Sequence, residues 1–147
     1  MPRYKITIEY DGTGLVGWQR QDNGDSVQAA IEAAAESFIG SPTPVAGAGR
    51  TDSGVHATGQ VAHLDVPDRF DANRVMQALN AHLGEVPVTI HHAREVPATI
   101  HARFSATGRR YRYRILPQHQ KPALEMGRVW HHRQHLDSER MHKAAQY

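Results

Sequence analysis

Tyr4, Ile6, Ile8 and Tyr10 alternate with Lys5, Thr7 and Glu9, the period-two pattern of a strand buried on one face. The period then lengthens. Val27, Ala30, Ile31, Ala34, Ala35 and Phe38 recur at helical spacing behind Ser26, whose hydroxyl can accept from a free N–H at a helix start, and Gly40 supplies the stop. A second helix repeats the logic: Asp71 caps it, Ala72, Val75, Met76, Leu79 and Leu83 line one face, and Gly84 ends it. Strand-like runs fall at about 45–48, 59–66, 88–96 and 108–116, with a further one within 126–133 after a polar loop at 117–121. This order predicts an α+β fold, a mainly antiparallel sheet with helices on one face, similar to a ferredoxin-like half. Asp137 and Ser138 open a third helix whose apolar face is unfinished at Tyr147, with no Gly or Asn stop, so the chain is expected to end in mid-helix.

Composition narrows the class. A chain of 147 residues can bury about 68–70% of its unfolded surface, but its 39% hydrophobic content sits below the usual 45–50%, so the core is modest and much of the surface polar. With no cysteine, disulfides and thiolate zinc sites are excluded. A cytoplasmic address is expected, and no apolar run is long enough for a signal peptide or a membrane span, so no membrane partner is expected. The net charge of +2 hides an asymmetry: residues 1–95 carry 7 Lys/Arg against 12 Asp/Glu, and residues 96–147 carry 10 against 3. Fourteen of the 17 basic residues are arginine, whose planar fork grips phosphate and stacks on bases, so an anionic partner is expected.

The candidate chemistry lies in Gly49-Arg50-Thr51-Asp52-Ser53-Gly54-Val55-His56-Ala57, an acid between a cation and glycines with little apolar material. Gly49 and Gly54 are expected to take positive φ and let Asp52 approach a ligand closely. Read locally, Arg50 and Asp52 make an ordinary ion pair on a turn. Gly47-Ala48-Gly49 begins like a dinucleotide loop, but Asp52 stands where the third glycine belongs and no Gly-Lys follows, so neither a Rossmann loop nor a P-loop is supported. Among the 11 histidines, His56 and His63 flank Asp52, and His131 and His135 stand at i, i+4 if helical. A metal hydrolase built on Asp52, His56 and His63 is therefore the alternative enzyme class, although the spacing matches no metal motif. On an expected strand, Tyr111, Tyr113 and Ile115 share one face, as core or as base-stacking aromatics; Arg110, Arg112 and Arg114 share the other, as an RNA surface or a charged edge.

Arg50-Thr51-Asp52-Ser53-Gly54-Val55-His56-Ala57 with Gly59-Gln60-Val61 closely resembles the active-site motif of the tRNA pseudouridine synthase A family. Ile8-Glu9-Tyr10-Asp11-Gly12-Thr13 and Gly17-Trp18-Gln19-Arg20-Gln21 resemble its opening motif. His101-Ala102-Arg103-Phe104-Ser105-Ala106 with Arg110-Tyr111-Arg112-Tyr113 resembles its second active-site segment. The similarity runs from about Tyr4 to the last residue, and one departure, Leu83-Gly84 where the family usually has proline, touches only a helix exit.

The resemblance implies a ferredoxin-like half of the pseudouridine synthase fold, no cofactor, no metal, and a tRNA partner engaged at its anticodon stem-loop by a homodimer. It implies Asp52 as the catalytic group, Arg50 as the residue that helps displace the target base, and Tyr111 as its holder. Arg103, Arg110 and Arg20 are expected to contact phosphates. Family members are roughly twice as long, so residues 1–147 are expected to be the amino-terminal portion, without the carboxy-terminal cation that partners the aspartate. A catalytically inactive RNA-binding fragment is the second reading that this implies.

Overall fold

The computed structural model describes residues 1–67 and 69–147, which fall into two compact units, residues 1–109 and 110–147. In the first unit β1 (Arg3–Tyr10), α1 (Val27–Ile39), β2 (Ala46–Gly47), β3 (Ala57–Asp65), α2 (Ala72–Leu83) and β4 (Val88–Val96) follow one another. The strands form one antiparallel sheet in the order β2-β3-β1-β4, the interlocked βαββαβ arrangement expected from the sequence. Alternation sets the faces. Tyr4, Ile6, Ile8 and Tyr10 of β1, Ala62 and Leu64 of β3, and Val88 and Ile90 of β4 join Val27, Ile31 and Ala35 of α1 and Val75, Leu79 and Leu83 of α2 in one buried cluster.

The helix ends are those the sequence marks. Ser26 accepts from the Ala29 N–H and Asp71 from the Arg74 N–H, while Gly40 closes α1 in the left-handed region. Asn80 both donates to the Ile90 carbonyl and accepts from its N–H, at 2.9 and 2.8 Å, fixing α2 on β4. Between Ile8 and Tyr10 the β1–β3 register skips from Gln60 to Ala57, so β3 carries one extra residue. Such a bulge bends the strand and re-aims the backbone beside it, here the end of the sheet next to His56 and Gly12.

The second unit holds a parallel pair, β5 (Ile115–Pro117) and β6 (Trp130–His132), and α3 (Ser138–Ala144), capped by Asp137 and without buried residues. The strand expected over 108–116 shrinks to its last residues. A ladder needs a partner, and within this unit only three residues of β6 supply one, so residues 110–114 have no regular structure despite their alternation. His131 lies on β6 and not on a helix, which removes its expected i, i+4 pairing with His135. No helix among the described residues is long and apolar enough to cross a membrane.

Candidate active site

The site is built at the exit of β2. The Ala48 N–H donates to the Val61 carbonyl at 2.7 Å, a backbone tie to β3 just past the end of β2. Two side chains then hold the departing carbonyls: Gln60 donates to Gly49 O at 3.0 Å, and Arg109 donates to Ala48 O from Nε at 3.2 Å and Nη2 at 2.7 Å. Gly49 does not take the positive φ expected of it, and a Cβ there would make only an ordinary contact with Arg109 Nε at 3.4 Å. Asp52 to Val55 close a tight turn through the Val55 N–H to the Asp52 carbonyl, and Gly54 supplies the φ of +77° that the third position of a type II turn requires.

The opening segment clamps this turn from the other side. The Trp18 N–H donates to the Thr51 carbonyl at 3.0 Å, while the Gly54 N–H and the Ser53 hydroxyl both donate to Leu15 O. The buried Tyr10 hydroxyl meets Thr51 Oγ1 at 2.8 Å. Gly17, at φ +107°, comes so close that a Cβ would overlap the Thr51 carbonyl oxygen. These contacts hold the backbone of the turn, and Arg50 and Asp52 are left exposed. The ion pair read locally from the sequence is not formed: among the described residues no salt bridge joins Arg50 to Asp52.

The two histidines near the motif are structural ties. His56 Nδ1 lies 3.0 Å from Asp11 Oδ1 and accepts from the Gly12 N–H at 3.0 Å. His63 is buried, burial pushes its pKa below the ordinary value, and its Nδ1 accepts from the Ala102 N–H at 3.1 Å. Arg3 adds a forked pair to Asp65 at 2.8 and 2.9 Å, which holds that carboxyl below its ordinary range, and reaches the Ala98 and Ile100 carbonyls. Residues 98–102 are therefore tied to β1 and β3, which positions Arg103. Asp52, His56 and His63 do not converge as a donor set, and no group of three potential metal ligands exists among the described residues.

Of the remaining expected residues, Arg20 is exposed at the start of α1's approach and pairs with Glu32 at 3.2 Å. Arg110 and Tyr111 belong to the second unit, where Tyr111 is 66% and Tyr113 88% exposed, so neither tyrosine is a core aromatic. Sequence reasoning missed Arg109, His63 and Gly17 as positioning residues. Nothing local distinguishes Arg109 from its arginine neighbours; its carbonyl targets are 61 and 6 residues away.

The profile of a family described as tRNA pseudouridine synthase matches residues 6–105, a span that contains the clamped Asp52 turn, the opening segment and Arg103. The chain belongs to the tRNA pseudouridine synthase family. A tRNA pseudouridine synthase A of Bradyrhizobium sp. is 56% identical over 146 residues, 99% of this chain and 60% of the relative. That of Rhodospirillum rubrum is 53% identical over 99% of this chain and 52% of its own length, and that of Caulobacter vibrioides 52% identical over 100% and 60%. The chain thus spans between about half and three fifths of the length of these curated relatives. The residues that hold the stretch from Ala48 to Val55 come from both sides of it in sequence: Tyr10 to Trp18 before, and Gln60 and Arg109 after.

Proposed function

We propose that this chain carries the catalytic aspartate of a tRNA pseudouridine synthase acting on uridines of the anticodon stem-loop, in a homodimer that shares the tRNA. The observation that carries this reading is the exposed Asp52 on a turn that the opening segment holds through the Leu15 carbonyl and the Trp18 N–H, inside the span matched by the family. Isomerisation breaks the bond from uracil N1 to ribose C1′, rotates the base and joins C5 to C1′; C5 loses a proton and N1 gains one, so no electron acceptor or outside group is needed. A single carboxylate, as nucleophile or as base, suffices, and rigid placement of that carboxylate is what the clamped turn supplies.

A uridine stacked in a stem-loop must first leave its stack. Arg50, two residues from Asp52 and free of that carboxylate, is suited to enter the space the base vacates, and exposed Tyr111 to hold the extruded ring. Stacking on one aromatic ring is worth about 1–3 kcal/mol, similar to the cost of unstacking, so one tyrosine shifts the balance. Arg103, Arg110 and Arg20 contribute positive charge for phosphates.

Release of tritium from 5-tritiated uridine in tRNA tests the reading in the intact protein. Asp52→Asn keeps the shape and removes the negative charge, and turnover should drop by several orders of magnitude while tRNA affinity stays. Retention of more than about a tenth of wild-type turnover in a folded variant overturns the role of Asp52. Binding of tRNA without any release by the wild type identifies an RNA-binding protein instead.

A further inference from the structure

We propose that Phe104, flanked by Arg103, is a stacking platform for an unpaired nucleobase of the RNA. The proposal rests on the RNA-modifying function and adds a site to it. Phe104 is 78% exposed, an unusual place for a phenyl ring, and it does not sit on a loose loop. Its turn is closed by Ser105 N–H to His101 O at 2.8 Å, His101 N–H to Ser105 Oγ at 3.0 Å and Arg103 N–H to His101 Nδ1 at 3.2 Å. It is anchored to the sheet by Ala102 N–H to His63 and beside β2 by Arg109 Nη2 to Arg103 O at 3.3 Å.

The rings form a column from core to solvent. Buried His63 meets His101 edge-on at 4.7 Å, and His101 lies against Phe104 at 4.5 Å with the planes 34° apart. The Arg103 guanidinium stands 5.9 Å from the Phe104 ring centre. A rigid ring beside a guanidinium offers a π-face and a cation with little ordering left to lose on binding, the combination that single-stranded nucleic acid uses. A protein contact would call for a contiguous apolar patch, whereas Arg103, Ser105 and Thr107 around the ring are exposed and polar.

The test compares a fluorescein-labelled oligouridylate with blunt duplex RNA of the same length, binding the intact protein at fixed salt. Phe104→Ala should weaken the oligouridylate roughly 5- to 100-fold and leave the duplex unchanged. Phe104→Trp should keep the oligouridylate affinity, and its indole fluorescence should be quenched beyond that of Trp18 and Trp130 in the wild type. Equal affinity of Phe104→Ala and wild type for oligouridylate, or equal losses on both probes, overturns the platform. So does a changed sedimentation coefficient with RNA binding intact, which would place Phe104 in a protein contact. If those results come with normal tritium release from tRNA, the platform alone falls; if the wild type binds no RNA at all, the RNA reading falls with it.

Discussion

Gly17 and Thr51 pack backbone against backbone: Gly17 has no room for a Cβ in front of the Thr51 carbonyl oxygen, which accepts from the next residue's N–H, that of Trp18, at 3.0 Å. This support beside the Asp52 turn comes from a segment 34 residues earlier in the chain. A side chain here both strains a left-handed backbone and pushes the turn away.

Gly17→Ala should therefore cost about 2 kcal/mol or more, a drop of several degrees in Tm, and lower turnover by more than the loss of folded protein explains. Gly14→Ala is the control, since Gly14 also has positive φ but nothing within 4 Å of its would-be Cβ. Equal effects of the two substitutions would show that the contact with Thr51 carries nothing.

Arg109 joins Ala48 O and Arg103 O with one planar fork. Lysine offers a point charge and cannot reproduce the forked contact, so Arg109→Lys should behave nearly like Arg109→Ala. Both should lose about 1–2 kcal/mol and speed hydrogen exchange of the Gly54 and Val55 amides, with kcat falling more than KM rises. Unchanged exchange at those amides would leave Arg109 without a positioning role.

His63 and Asp65 predict how stability depends on pH. Burial holds the folded His63 pKa below 6.5, so as pH falls through 6.5 the unfolded chain takes up a proton that the folded chain refuses, and stability declines until the folded pKa is passed. The Asp65 carboxyl, held low by Arg3, loses its contribution at more acid pH, as pH falls below 3.8 and through its folded value. His63→Asn keeps an acceptor for the Ala102 N–H and cannot protonate. Denaturant melts across pH should show the first decline disappear and the second remain; a persistent decline just below pH 6.5 would assign it to another group.

Affinity for tRNA should fall steeply with salt, because the arginine-rich residues 96–147 release counterions from each phosphate they neutralise. Charge removal at Arg103 or Arg110 should flatten the slope of log affinity against log salt by about one each. Affinity constant from low to physiological salt would rule out an electrostatic RNA face.

Local order along the chain was legible from sequence because it depends on near neighbours. The strand of alternating Tyr4 to Tyr10, the helices behind Ser26 and Asp71, and their ends at Gly40 and Gly84 all rest on side-chain period and capping chemistry within a turn or two. The string from Arg50 to Ala57 likewise marked a candidate site, since charge and glycine replace apolar residues there. The same local rule misplaced the strand over 108–116, because alternation names the faces a strand would have but not whether a partner ladder exists. What tertiary structure alone decided is how the Asp52 turn is held. The donors to the carbonyls of residues 48–51 that lead into it, Trp18, Gln60 and Arg109, and the spatial fit of Gly17, act across 11 to 61 residues of sequence, and hydrogen-bond direction over such separations is fixed by the sheet register, not by any pattern along the chain.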